Sequence, residues 1–137
     1  MENVTPRDEE YLFEGSVAIS QTDLSGNMTF ANRKFCEISG YKVDELIGSN
    51  HNIVRHPDMP STVFDKMWST LKSGQAWNGI LKNLRKDGSF YWGDTEILPI
   101  LDDNQEFTGF ISVEKNASSK DIKENEEIYK KMLQSQS

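Results

Sequence analysis

Residues 48–92 read GSNHNIVRHPDMPSTVFDKMWSTLKSGQAWNGILKNLRKDGSFYW, and this stretch decides the fold. It passes from a polar loop holding two histidines, His51 and His56, into a helix and then a hairpin. Pro60 suits the first turn of a helix, where a missing N–H costs nothing, and the helix is expected to run to about Ser73. Val63, Phe64, Met67, Trp68 and Leu71 recur at spacings of three and four, giving that helix one apolar face. Gly74 stops it. Trp77 to Arg85 and Ser89 to Leu101 read as strands, and the Asp87-Gly88 pair between them favours a tight hairpin. A helix laid across a sheet face that carries Trp77 and Asn83 forms one side of a pocket. Concave, mostly apolar sites with a few placed polar groups are where small molecules bind.

Upstream, VAISQTD from Val17 and MTFAN ending at Asn32 read as two strands joined at Leu24-Ser25-Gly26-Asn27. Asn32 suits the cap of a helix over Arg33–Ser39 with Phe35 and Ile38 facing inward, and Gly40 closes it. A second short helix over Val43–Ile47 ends at Gly48. Residues 1–15 are an N-terminal cap or tail, expected to end in a short helical cap that docks through Tyr11, Leu12 and Phe13. Downstream, Phe107–Lys115 makes a fifth strand. Residues 118–137 form a helix whose start, Ser118 with Asp121, is similar to a capping box. Ile122, Tyr129 and Met132 line one side of it, so it packs on its own sheet or on a second copy. The order predicts an α+β fold over residues 16–117: one five-stranded antiparallel sheet with short helices on one face, followed by the C-terminal helix.

Composition narrows the function. The chain has 137 residues, 36% hydrophobic and 27% charged, as expected of one soluble domain. Fifteen basic against 22 acidic residues leave a net charge of −7, which disfavours phosphate-driven nucleic-acid binding. No apolar run reaches the ~18 residues of a membrane span, and the acidic N-terminus lacks a secretory pattern. A cytoplasmic protein without direct membrane insertion is expected, although a piece of a larger membrane protein would read the same. The single cysteine, Cys36, excludes an internal disulfide and reads as a small helical hydrophobe. With only two histidines besides, no zinc site is expected. GxSxG, Walker and GxGxxG patterns are all absent, and the chain reads as non-enzymatic.

Period two places Trp77, Gly79, Leu81 and Asn83 on one strand face, a strip suited to a planar heterocycle with polar edges. On spacing alone, packing leads: Trp77 as core ring and Asn83 as a satisfied edge amide. Arg55, His56 and Asp58 cluster before the Pro60 helix. Arg55 offers a phosphate-binding fork and His56 a group titrating near neutrality, against a solvated loop in which an Arg–Asp pair counts for little.

FANRKFCEISGYKVDELIG, NLRKDGSFYW and FTGFISVEKNAS resemble a PAS domain over about Ser16–Ala117. HNIVRHPDMP, FDKMWSTLKSGQAWNGILKN and RKDGSFYW resemble, within that family, the PAS domain of bacterial aerotaxis receptors. The resemblance implies non-covalent FAD whose redox state is the signal. Asn52, Arg55, His56, Asp58, Trp77 and Asn83 are then the candidate cofactor contacts. The light-sensing LOV branch is matched less well. Its reactive cysteine falls at His51, its second asparagine at Gly93 and its last-strand glutamine at Glu114. The expected function is a cytoplasmic module that reports redox state or oxygen availability, as in aerotaxis, to a chemotaxis-type signalling protein or output domain. Homodimerisation is left open. A cofactor-free PAS interaction module is the alternative, and a haem sensor using His51 or His56 a further one.

Overall fold

Gly88, at φ 92°, sits in the tight turn that the Asp-Gly pair predicts. That turn joins β3 (Trp77–Leu84) to β4 (Phe90–Leu101), paired antiparallel from Trp77 opposite Ile97 to Leu84 opposite Phe90. The computed structural model describes residues 4–136, so the extreme ends of the N-terminal cap and of the C-terminal helix lie outside the described residues. β5 (Phe107–Asn116) pairs with β4, and β1 (Ala18–Asp23) pairs with β5. β2 (Met28–Ala31) completes the sheet beside β1. All pairs are antiparallel in the order β2-β1-β5-β4-β3, the five-stranded α+β architecture expected.

Alternation along the strands gives the sheet two working faces. Ala18, Met28 and Tyr91 join one core cluster with Phe35, Ile38, Leu46 and Val54. These last come from α1 (Arg33–Ser39), α2 (Val43–Leu46) and the 3₁₀ turn His51–Val54. α3 (Ser61–Lys72) lies over the same face and buries Met67 and Leu71, with Pro60 at its N-cap. Ile80 and Trp92 alternate to the other face, where α4 (Ser119–Gln136) packs. The Tyr129 ring stacks on Trp92 at 6.4 Å, and its hydroxyl donates to the Ile80 carbonyl at 2.5 Å. The C-terminal helix therefore packs on its own sheet.

The N-terminal segment corrects the expectation of a helical cap. It runs extended beside the start of β4: the Arg7 N–H donates to Gly88, Phe90 to Glu9, and Tyr11 to Phe90, at 2.7–2.9 Å. β5 pairs with β4 only from Gly93 onward, which leaves the backbone of Phe90 open, and an extended segment can satisfy it where a helix cannot. Phe13 is buried and Tyr11 half-buried, but Leu12 is 80% exposed and does not dock. Arg85 fastens this segment to the domain. Its guanidinium lies 3.8 Å from the Tyr11 ring centre and donates to the carbonyls of Glu37 and Ile38, at the open end of α1.

Asn32 does more than cap. Its Oδ1 accepts from the N–H of Phe35 at 2.9 Å and of Ile19 at 3.0 Å, while Nδ2 donates to the Val17 carbonyl at 3.1 Å. One side chain thus starts α1 and holds the strand entering β1. Asn32→Ala should destabilise the fold by about 1–2 kcal/mol, at the upper end for a lost cap, read from the urea midpoint at unchanged m. A loss under about 0.5 kcal/mol would contradict this role.

Candidate functional site

A cavity lies between the helix-bearing face of the sheet and the roof made by α3 and the 3₁₀ turn. Its walls are largely apolar: Phe64, Met67, Trp68 and Leu71 come from α3, and Leu81, Ile97 and Phe110 from the sheet. A polar row crosses the sheet side, with Asn83 on β3, Thr95 on β4 and Glu114 on β5. Ser20 and Thr22 of β1 continue it.

Glu114 is the centre of that row. It is 5% exposed, and its Oε2 accepts from Asn83 Nδ2 at 3.0 Å and from Thr95 Oγ1 at 2.9 Å. Gly93 makes the room, since a Cβ there would overlap the Glu114 carboxyl. Burial pushes the Glu114 carboxyl up to about 7, against the hydrogen bonds from Thr95 and Asn83 that favour its charged form. Tyr91 lies near enough for Glu114 to influence it. Burial, reinforced by the charge of Glu114 and by a contact with its carboxyl, pushes its phenol well up, although the hydroxyl falls short of full hydrogen-bond geometry. The buried Thr22 hydroxyl has no partner among the described residues. Buried polar atoms in native proteins are nearly always partnered, so an unmet hydroxyl and a loosely held one beside an apolar slot fit a ligand with polar edges.

The predicted site residues divide. Asn83, Asn52 and Arg55 all line the cavity, and Arg55 pairs with Asn83 through an isolated backbone bridge. The Arg55 guanidinium lies 4.3 Å from the centre of the Phe64 ring. His56 and Asp58 are not among the lining residues. His56 is buried with its ring edge toward Phe90, and its Nδ1 accepts the Asp58 N–H at 3.0 Å. Burial, with Lys82 adding to it and Asp58 opposing, lowers the His56 pKa and keeps the ring neutral at pH 7. Asp58 pairs with Lys82 at 2.9 Å in place of the arginine the sequence suggests, in a recess shared with Tyr129 and Lys130 of α4. Trp77 lies over Gly79, where it leaves no room for a Cβ, and packs against the cluster of Met67, Leu71 and Phe110 behind the cavity wall.

Sequence reasoning missed Tyr91 and Thr95, and marked His51 and Glu114 only through the haem alternative and the LOV comparison. Extending the period-two argument from Asn83 across the hairpin would have found Tyr91 and Thr95, because Asn83 pairs with Tyr91. The His51 Nε2 lies 3.2 Å from Ser20 Oγ, and burial lowers its pKa. Cys36 is half-buried against the core, and burial raises its thiol pKa, as suits an inert side chain. Among the described residues no three His, Cys, Asp or Glu gather as metal ligands, and no helix is long and apolar enough to cross a membrane.

Residues 28–114 match the family described as the PAS fold. The aerotaxis receptor of Escherichia coli K12 is 41% identical over 119 residues, covering 87% of this chain and 23% of the receptor. The nitrogen fixation regulatory protein of Klebsiella pneumoniae is 34% identical over 105 residues, 77% of this chain and 21% of that protein. The chain thus spans less than a quarter of these relatives' length. Among solved structures, a PAS domain from Colwellia psychrerythraea superposes with a TM-score of 0.69 at 25% identity, covering 74% of this chain and 86% of that one. The dark-state LOV domain of the blue-light photoreceptor Aureochrome1 superposes with a TM-score of 0.68 at 21% identity, covering 87% and 83%, a likeness of fold.

The Glu114 carboxyl holds its proton more tightly in the folded chain than in the unfolded one. Its stabilising contribution is therefore complete below the unfolded carboxylate range and is lost as pH rises through about 7. Relative to Glu114→Gln, the wild type should lose roughly 2–3 kcal/mol of stability between about pH 5 and pH 8. Parallel urea-midpoint profiles for the two proteins would contradict this.

Proposed function

The chain belongs to the PAS-fold family, and on that premise we propose that it is a sensory module holding FAD non-covalently and signalling redox state or oxygen availability. The observation that carries the reading is the polar row of Asn83, Thr95 and Glu114 set in an apolar slot, with the Thr22 hydroxyl left without a partner among the described residues. The isoalloxazine ring is flat, apolar across its faces and polar along its edge, and the slot matches it in kind. An aerotaxis receptor that is 41% identical over 87% of the chain supports the same reading.

Bound there, a flavin supplies a ring that accepts electrons and changes charge at its polar edge. The chain's residues do the rest. Leu81, Ile97 and Met67 exclude water from the ring faces. Asn83 presents an amide whose orientation is set by its bond to Glu114. Arg55, on the 3₁₀-turn side, offers its guanidinium fork to the diphosphate of FAD. Asn52 lies beside it. His56, Asp58 and Trp77 act one layer out: the first two fix the loop that carries Arg55, and Trp77 backs the wall formed by Met67, Leu71 and Phe110.

The route outward follows the backbone. Glu114 lies near the end of β5, which passes through the buried Ala117 into α4. A rearrangement of the polar row biases the docking of α4 on Ile80 and Trp92. The reading places the module in the cytoplasm, without enzymatic activity of its own, passing its state to a chemotaxis-type protein or an output domain.

The first test is the absorbance spectrum of the purified protein with extraction of the cofactor: blue-region flavin bands are expected, and a colourless protein that takes up no added flavin would overturn the reading. Arg55→Ala should weaken FAD binding at least tenfold more than riboflavin binding, by titration of the two ligands, and equal losses would remove Arg55 from the diphosphate. Trp77→Ala should retain its circular dichroism spectrum yet lose flavin on gel filtration. A folded variant that stays fully loaded would contradict its place behind the wall.

A further inference from the structure

Resting on the flavin reading above, we infer that Glu114 is a proton-binding site coupled to the charge of the cavity's occupant, taking up one proton from solvent when that occupant gains negative charge. Nothing in the PAS resemblance requires a carboxylate here. Its placement is built: Gly93 vacates the space its carboxyl fills, and Asn83 and Thr95 both aim donors at the same oxygen, Oε2.

Among the described residues no cation pairs with Glu114 to hold it ionised. On β3 it meets Asn83, and on β4 Thr95 and Tyr91, whose phenol stays protonated. On β1 its backbone neighbour is Ala18. The α3 residues of the cavity, Phe64, Met67, Trp68 and Leu71, are uncharged. In the 3₁₀-turn region burial lowers the His51 pKa, and the Arg55 guanidinium, turned over the Phe64 ring, is not among the groups that act on the Glu114 carboxyl. Two neutral donors offset only part of the cost of burying a carboxylate, so its pKa rises to about 7. A group poised there responds to a small change in local charge, and an anion appearing beside it raises its proton affinity further.

The electrons that charge the ligand come from an external reductant, dithionite in the test, which is oxidised to sulfite. The proton comes from solvent and converts the Glu114 carboxylate to the acid. The neutral acid accepts more weakly than the carboxylate and carries a donor of its own, so the bonds from Asn83 and Thr95 to Oε2 loosen. Asn83 faces the cavity and Thr95 ties to β4, so this loosening carries the event from cavity to sheet.

The experiment is a potentiometric titration of FAD-loaded wild type and Glu114→Gln from about pH 6 to about pH 9. Above neutrality, the wild-type reduction equilibrium should fall with pH more steeply than that of the variant, approaching an extra tenfold per pH unit, or about 30 mV for a two-electron couple. Superimposable slopes would overturn the inference while leaving the flavin reading intact; failure of the wild type to load flavin would overturn both. The wild type alone gives a second readout. Its reduced-minus-oxidised infrared difference spectrum should gain a carboxylic-acid carbonyl band that shifts in D2O, and its absence would overturn the inference even if the variant did not fold.

Discussion

The antiparallel pairing of β1 with β5 over Ala18–Asp23 and Gly109–Glu114 is the constraint on which everything else depends. It joins the first strand to the last across the whole length of the domain, so the helices between must loop over one face and return. That loop becomes the roof of the cavity. The same pairing sets Ser20 opposite Ser112, two residues before Glu114, so the polar lining passes along β5 and on to Ser20 and Thr22. The strands approach closely at Gly109, where a side chain would overlap the Thr22 carbonyl. Closing so long a loop costs entropy that grows only slowly with length, and the ladders on both sides of β5 offset it.

Within this frame the site is a balance of opposed terms. An apolar slot favours a flat ring, but hydrogen-bonding groups in its wall are costly if left unmet. Glu114 solves part of this by accepting from Asn83 and Thr95, which leaves the Thr22 hydroxyl unmet and the Tyr91 hydroxyl short of full hydrogen-bond geometry. Ligand binding gains from completing those bonds as well as from covering Leu81 and Met67. A site so arranged prefers a ligand with a polar rim over a purely aliphatic one, whose binding would leave these hydroxyls dry.

Much of the fold was legible because its signals are local. Asn32, Gly40, the Asp87-Gly88 turn and the stripe from Val63 to Leu71 each act within a few residues, and each does what its chemistry predicts. The N-terminal segment was not legible. Whether residues 7–11 form a helix or extend is decided by the open backbone of Phe90, some eighty positions away in the sequence. The site shows the same division. Asn83 and Arg55 could be read from strand period and loop chemistry, and both line the cavity. Asp58 could not be placed, because Lys82, which takes it, reaches from the far face of β3. Trp77 carried the expected strip only in part, since the bare backbone of Gly79 let the ring fold down toward the α3 cluster. Glu114 was marked only by comparison with LOV domains, because its partners Asn83 and Thr95 come from β3 and β4 and no pattern within β5 reveals them.

The way the sheet ends has a consequence of its own. An open five-stranded sheet has two exposed ladders, each a template on which a foreign strand could add and seed aggregation. Here β2 is only four residues long and its pairing with β1 slips register, which makes a poor template. β3, at the other border, is longer and more inviting, yet Arg55 bridges it at Asn83 and Lys82 keeps a charge along it. The loop that frames the cavity therefore also keeps the sheet from recruiting strands of other molecules. A change that freed this loop would bare the β3 ladder as well as open the cavity.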